Sequence, residues 1–154
     1  MVCQSIIVSS PVGFLKVSAE NNRITSIEFV NEQSIEESDL PVLTQAKNQL
    51  EEYFSGSRKT FDLPLEMKGT TFQKLVWNQL LEVPYGQTCS YQDIANQIAN
   101  PKAVRAIGQA NKANAIPIVI PCHRVIGKNQ SLTGYAGKEI DKKEKLLSLE
   151  KQYQ

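Results

Sequence analysis

Between Ile116 and Val125 the chain reads Ile-Pro-Ile-Val-Ile-Pro-Cys-His-Arg-Val: an apolar, largely β-branched run held between two prolines and followed at once by a thiol and an imidazole. No other stretch limits the fold as much. A run of this kind has no polar face to offer water, so it must be surrounded on every side, and whatever surrounds it also surrounds Cys122 and His123. Its length, its β-branching and its bounding prolines predict a buried strand over residues 116–120. His123 is the only histidine in 154 residues, so the chain's one side chain that ordinarily titrates near neutrality stands beside that cysteine. Adjacent side chains of an extended segment point to opposite faces. Cys122 and His123 therefore meet directly only if the chain turns after Pro121, and a relay through water is the easier geometry. The competing reading is an inert buried thiol, the usual state of a lone cysteine after an apolar segment.

Composition decides what this thiol can belong to. Cys3, Cys89 and Cys122 are odd in number and widely spaced, which argues against a disulfide framework and fits a reducing compartment. With a single histidine and no C-x-x-C spacing, no metal site is expected. No apolar run approaches the roughly 20 residues needed to span a bilayer, and Met-Val-Cys-Gln-Ser lacks the basic start of a signal peptide, so no membrane partner and a cytoplasmic location are the expectation. Net charge is +1, but it divides unevenly: residues 1–67 carry 5 basic and 10 acidic side chains, and residues 68–154 carry 12 and 6. From Ile94 to Lys138 there is no acid, while Lys102, Arg105, Lys112, Arg124, Lys128 and Lys138 are basic. Such a field suits a polyanion, although a chance basic patch beside an acidic domain gives the same count.

The periodicities predict a boundary where the charge changes sign. Residues 4–8, 13–19 and 23–30 are short β-prone runs separated by turn-forming residues, an antiparallel meander. Pro41 opens a helix with Leu43, Ala46, Leu50 and Phe54 inward, and Gly56 ends it. In the second half, Thr70 and Gln73 form one capping box and Ser90 with Asp93 another. The helix after Ser90 turns Ile94, Ala95 and Ile98 inward. Pro101, as a first helical residue, opens a helix over 102–112. Two short helices across a tight turn, the second basic and rich in small residues, form a helix-turn-helix pattern, and an ordinary helical hairpin has the same pattern. A charged helix beginning near Lys138, with Leu146, Leu147 and Leu149 for packing, closes the chain, and Glu150 sits at its end.

Taken together, Pro121-Cys122-His123-Arg124-Val125-Ile126-Gly127, Asn114 eight residues before the cysteine, Arg105-Ala106-Ile107-Gly108, Asn100-Pro101-Lys102-Ala103-Val104 and Pro84-Tyr85-Gly86-Gln87-Thr88 with Ser90-Tyr91 resemble the O6-alkylguanine-DNA alkyltransferases. The match runs from about Phe72 to Glu150. Phe61-Asp62-Leu63-Pro64-Leu65 is similar to the bacterial constitutive members, and the rest of residues 1–60 matches weakly.

The resemblance implies an α+β protein. A small N-terminal sheet-plus-helix domain, ribonuclease H-like, over residues 1–67 is expected to pack on a mostly helical, winged-helix-like domain with the helix-turn-helix over residues 68–154. It implies a monomer without a cofactor that acts on double-stranded DNA carrying O6-alkylguanine, with O4-alkylthymine as a second substrate. Cys122 would take the alkyl group once and irreversibly, His123 would act as base through a water, and Glu150 would orient the ring. Asn114 would fix the turn before the cysteine. Tyr91 would rotate the nucleotide's phosphate and Arg105 would fill the space of the extruded base, with Lys102, Ala103, Ala106, Gly108 and Arg124 also on the DNA. Tyr135 and the backbones of Val125 and Ala136 would line the guanine pocket. Two departures bear on this assignment: Ala115 replaces the family's usual proline, predicting a looser hinge, and Lys145 replaces a tryptophan of many members, which affects the register of Glu150.

Overall fold

The computed structural model describes residues 3–31, 37–127 and 140–154. The chain divides into two compact units, residues 1–68 and 69–154. The fold class is α+β, as expected.

In the first unit, β1 (Gln4–Ser10), β2 (Gly13–Glu20) and β3 (Arg23–Val30) form an antiparallel sheet in sequence order, with Val8 opposite Leu15 and Leu15 opposite Phe29. Asn21 and Asn22 turn the second hairpin at φ 50° and 64°, the left-handed pair that matches the twist of the flanking strands and that asparagine tolerates. Alternate residues face inward, including Ile6, Val8, Leu15, Val17, Ile24 and Ile27, against Val42, Leu43, Ala46, Leu50 and Tyr53 of α1 (Pro41–Ser55). The predicted inward stripe of α1 ended on Phe54. The residue continuing the three-and-four spacing from Leu43, Ala46 and Leu50 is Tyr53, fully buried, with Phe54 half-buried against its ring edge at 5.2 Å. Gly56 ends α1 at φ 87°, its N–H bonded to Tyr53 O, as a left-handed cap requires. Leu65 bridges Ile24 in parallel, through Ile24 N to Pro64 O and Glu66 N to Ile24 O, both 2.8 Å.

The second unit comprises α2 (Thr71–Leu80), β4 (Cys89–Ser90), α3 (Tyr91–Gln97), α4 (Val104–Lys112), a 3-10 turn at Cys122–Arg124, β5 (Val125–Ile126) and α5 (Ile140–Gln152). Both predicted capping boxes are present. Trp77 ties α2 to α4 by donating from Nε1 to Ala110 O at 2.8 Å in a buried contact. Gly69 lets the chain pass this ring: a Cβ there would lie 2.6 Å from Trp77 Cη2.

Two local expectations are corrected. Helix α4 begins at Val104, not Lys102: Asn100 to Ala103 close a four-residue turn, with Ala103 N donating to Asn100 O at 3.0 Å and Gln92 Nε2 holding Pro101 O at 3.0 Å. Asparagine first and proline second is turn chemistry, and it overrode proline's aptitude for starting a helix.

The predicted strand over 116–120 is a buried turn. Ile120 N donates to Ile116 O at 3.0 Å, and Ile118 takes φ 75°, a left-handed backbone rare for a β-branched residue. Asn114 forces the fold-back: its Oδ1 accepts from Ile116 N at 3.0 Å and its Nδ2 donates to Ile120 O at 2.9 Å. A side-chain amide thus supplies the partners that a sheet would have supplied. Burial on all sides demanded that the run be covered, not that it be extended. The hinge expected to loosen at Ala115 is held by both ends of one asparagine.

Candidate active site and nucleic-acid interface

The buried turn feeds directly into Cys122 and His123. Cys122 N donates to Ile120 O at 2.8 Å and Arg124 N to Pro121 O at 3.0 Å, winding Cys122–Arg124 into a single 3-10 turn before β5 leaves it. The chain thus turns after Pro121, the condition under which neighbouring Cys122 and His123 can serve one site. β5 then pairs in parallel with β4, Val125 beside Cys89 and Ile126 beside Ser90, which sets the start of α3, with Tyr91, next to the strand leaving the thiol.

From the far end of the unit, α5 brings Glu150 and Lys143 to the same place. Cys122, His123, Arg124, Lys143 and Glu150 are each no more than 6% exposed. His123 Nε2 lies 2.6 Å from Glu150 Oε2. Arg124 grips the same carboxylate with two donors, Nε to Oε1 at 2.9 Å and Nη2 to Oε2 at 3.0 Å. Its third nitrogen, Nη1, donates to Val83 O at 2.7 Å, and the guanidinium carbon sits 5.6 Å from the centre of the Tyr85 ring. Gly86 N adds a bond to Glu150 Oε1 at 3.2 Å. Lys143 Nζ donates to Val125 O at 2.5 Å, and Asn111 Nδ2 to Cys122 O at 3.4 Å.

The electrostatics follow from this burial. Removal from water pushes the Cys122 thiol up to about 11, against the opposing pull of a hydrogen bond from Asn114 and the charge of Lys143. A thiol so raised stays protonated at neutral pH, so any attack by it calls for a base. Burial lowers the proton affinity of His123, and the charges of Arg124 and Lys143 act in the same direction against the pull of Glu150. The ring is thereby kept neutral and able to accept a proton. Burial opposes ionisation of Glu150 too, but the His123 hydrogen bond and then Arg124 outweigh it and hold the carboxyl well below the ordinary carboxylate range. Desolvation brings the Lys143 amine down to about 8. With Glu150 ionised and accepting at Nε2, the ring's proton belongs on Nε2 and its lone pair on Nδ1.

The residues expected on DNA separate into two groups. Lys102, Arg105 and Ala106 are exposed, Ala103 and Gly108 half-buried, while Ile107, Ala110 and Asn111 take the inner side of α4. A Cβ built on Gly108 meets nothing within 4 Å, so that side of the helix is open to close approach. Tyr91, first residue of α3, is half-buried. Arg124 is the correction. It was expected among the DNA contacts, but its guanidinium is buried on Glu150 because a carboxylate in the interior needs a paired cation. Val125 is fully buried beside the thiol, whereas Tyr135 and Ala136 lie outside the described residues.

Sequence reasoning also missed Lys143, Asn111 and Tyr85. For Lys143 a signal existed: residues 143, 146 and 150 follow helical spacing, so a lysine and a glutamate share the stripe of Leu146. Lys145, where many family members carry a tryptophan, is exposed, and Glu150 still reaches His123.

The chain resembles known proteins over nearly its whole length. The pattern described as 6-O-methylguanine DNA methyltransferase, DNA binding domain, matches residues 71–152, and that of the ribonuclease-like domain matches residues 2–67. The likeness therefore extends through the N-terminal half, where motifs are sparse. The chain is 50% identical over 151 residues to a constitutive methylated-DNA–protein-cysteine methyltransferase of Bacillus subtilis, covering 92% of each. It resembles the crystal structure of a Mycobacterium tuberculosis O6-methylguanine methyltransferase with a TM-score of 0.89 and 39% identity, over 99% of this chain and 95% of that one. A Mycobacterium tuberculosis OGT in complex with DNA gives a TM-score of 0.88 at 41% identity, over 97% and 94%. With both halves matched and half of all aligned residues shared with one relative, the chain belongs to the 6-O-methylguanine DNA methyltransferase family.

Proposed function

We propose that this protein repairs duplex DNA by moving the alkyl group of O6-alkylguanine, and of O4-alkylthymine, to its own Cys122, once per molecule. The observation that carries the reading is the buried His123–Glu150 pair, its atoms 2.6 Å apart, standing next in the chain to the buried Cys122 thiol. In the reaction the Cys122 sulfur forms a bond to the alkyl carbon as that carbon's bond to O6 breaks. The thiol proton passes through a water to His123 Nδ1, and the electron pair released on O6 leaves with the base, which is then protonated. A thioether has no ready leaving group, so the protein is consumed.

Burial of the thiol dictates how substrate reaches it. A stacked base cannot present O6 to a sulfur that is 1% exposed, so the nucleotide must be extruded, at a cost of a few kcal/mol. Lys102, Arg105, Ala106 and Gly108, with Ala103 at the edge, suit α4 for close docking in a groove, with Arg105 as the wedge and Tyr91 turning the phosphate. Tyr135 with the backbones of Val125 and Ala136 would line the base pocket, and the protein would act as a monomer. A hydrolase using the same three residues is disfavoured by the same burial, since an ester or amide in solution has no path comparable to an extruded base.

Incubation with a duplex containing one O6-methylguanine, followed by peptide mass analysis, tests the reading. One methyl group should appear on the peptide carrying Cys122, with one equivalent of guanine restored. An unmodified Cys122 after exposure to a substrate that a known methyltransferase repairs would refute it.

A further inference from the structure

Arg124 has no part in the alkyl transfer as written above, yet all three of its side-chain nitrogens are bonded within the site. We propose that Arg124 is a positioning residue for that transfer: its fixed charge on Glu150 keeps His123 a neutral imidazole and so a competent base for Cys122. The inference rests on the alkyl-transfer reading of the site.

The geometry supplies the reason. Glu150 offers Oε2 to both His123 Nε2, at 2.6 Å, and Arg124 Nη2, at 3.0 Å, while Oε1 takes Arg124 Nε at 2.9 Å and Gly86 N at 3.2 Å. A buried carboxylate with only an imidazole beside it would draw a proton onto the ring, giving an imidazolium-carboxylate pair. An imidazolium has no lone pair with which to take the thiol's proton. The guanidinium, which does not release its proton in proteins, matches the carboxylate's charge first and opposes a second positive charge next to it. The Val83 carbonyl at 2.7 Å and the Tyr85 ring at 5.6 Å hold it in that posture. Among the described residues, the other charged groups acting on the ring are Lys143 and Glu150 from α5, with Cys122 the neighbouring titratable group in its own turn and Tyr85 facing the Arg124–Glu150 pair from residues 83–86. Of these, only Glu150 favours the imidazolium. Burial already disfavours the imidazolium, and Arg124 on Glu150 weakens the one pull toward it.

Because His123 is the only histidine, its ring signals in a nuclear magnetic resonance titration of the full chain are unambiguous. The wild type should show a midpoint below the ordinary value of about 6.5. Its transfer rate on an O6-methylguanine duplex should hold nearly level from pH 8.5 to pH 6.5. R124M should raise the midpoint by about one pH unit or more, and its rate should fall about tenfold between pH 8.5 and 6 beyond any fall in the wild type. R124K keeps a charge and loses the fork, so its midpoint should stay within a few tenths of wild type while its rate drops at every pH. If R124M does not fold, R124Q takes its place as the neutral variant, and a midpoint raised by about one pH unit in it supports the assignment. A wild-type midpoint at or above 6.5, a one-unit rise in R124K, or a folded R124M with an unmoved midpoint overturns it. Failure of the alkyl-transfer reading would look different, as an unmethylated Cys122 in the wild type whatever the titration shows.

Discussion

Asn114 and Lys143 each serve a backbone group and the reactive thiol at once. Asn114 satisfies Ile116 N and Ile120 O inside the fold-back that carries Ile118 at φ 75°. N114A leaves both groups buried without their partner, and each such group costs about 1–3 kcal/mol, so a loss of about 2–6 kcal/mol is expected in urea unfolding, with slower transfer because the turn delivering Cys122 loosens. Lys143 makes a prediction about pH. Its amine, lowered to about 8 in the fold, loses its proton there before it does in the unfolded chain, so between pH 8 and 9 it contributes stability that rises with pH. Cys122 and Cys89, both raised to about 11, hold protons that the unfolded thiols begin to release near pH 8.5, so their contribution falls over the same interval. The opposite slopes should leave the wild type nearly level from pH 8 to 9. K143M should lose about 1 kcal/mol across that interval, read as a falling urea midpoint. Of these roles, the hinge part of Asn114 was legible through the family motif. That of Lys143 was signalled only by its place on the stripe of Leu146 and Glu150, a weak sign because a lysine on a charged helix reads as solvent-facing until the helix's neighbours are known.

At the scale of elements, α4 divides its duties by face. Ile107, Ala110 and Asn111 pack inward, while Arg105, Ala106 and Gly108 leave the other side small and basic. Gly108 separates folding from docking, since a Cβ there meets nothing within 4 Å and its backbone is ordinary helix. G108A should stabilise the protein by up to about 1 kcal/mol through helix propensity alone. G108L should fold as well as wild type, yet bind duplex DNA at least tenfold more weakly in a fluorescence anisotropy titration if this face approaches a groove closely. Tight binding by G108L would remove α4 from the interface. The helix-turn-helix was legible from two signals, the Ser90 capping box and the acid-free basic run. The start of α4 was not, because Asn100-Pro101 satisfies both a helix opening and a turn, and only the Gln92 bond to Pro101 O shows which was chosen. The run over 116–120 misled for a related reason: burial on all sides is common to a central strand and a packed turn.

For the molecule as a whole, acid stability should record the same charge arrangement. His123, with its proton affinity lowered, refuses a proton that the unfolded chain accepts below about pH 6.5, and Glu150, held low, refuses one that the unfolded chain accepts below about pH 4.3. Both make stability fall as pH falls. A slope of about 1.4 kcal/mol per pH unit should open below pH 6 and steepen below pH 4.5, and H123F should abolish the first segment while keeping the second, as measured by urea unfolding across pH. Two units emerge from the chain, 1–68 and 69–154. The three-stranded meander, α1 with its Gly56 cap, the capped helices, the adjacent Cys122-His123 pair and the family were determined by sequence alone. These rest on local chemistry: side-chain period, turn residues, caps, and rare residue types set next to one another. Only the tertiary structure decided that Arg124 leaves the DNA surface for Glu150, that Lys143 sits behind the thiol, and that the apolar run before Cys122 folds back instead of extending. Each of those depends on which distant groups share a buried space, and a charge withdrawn from water must be matched by whatever the fold brings beside it.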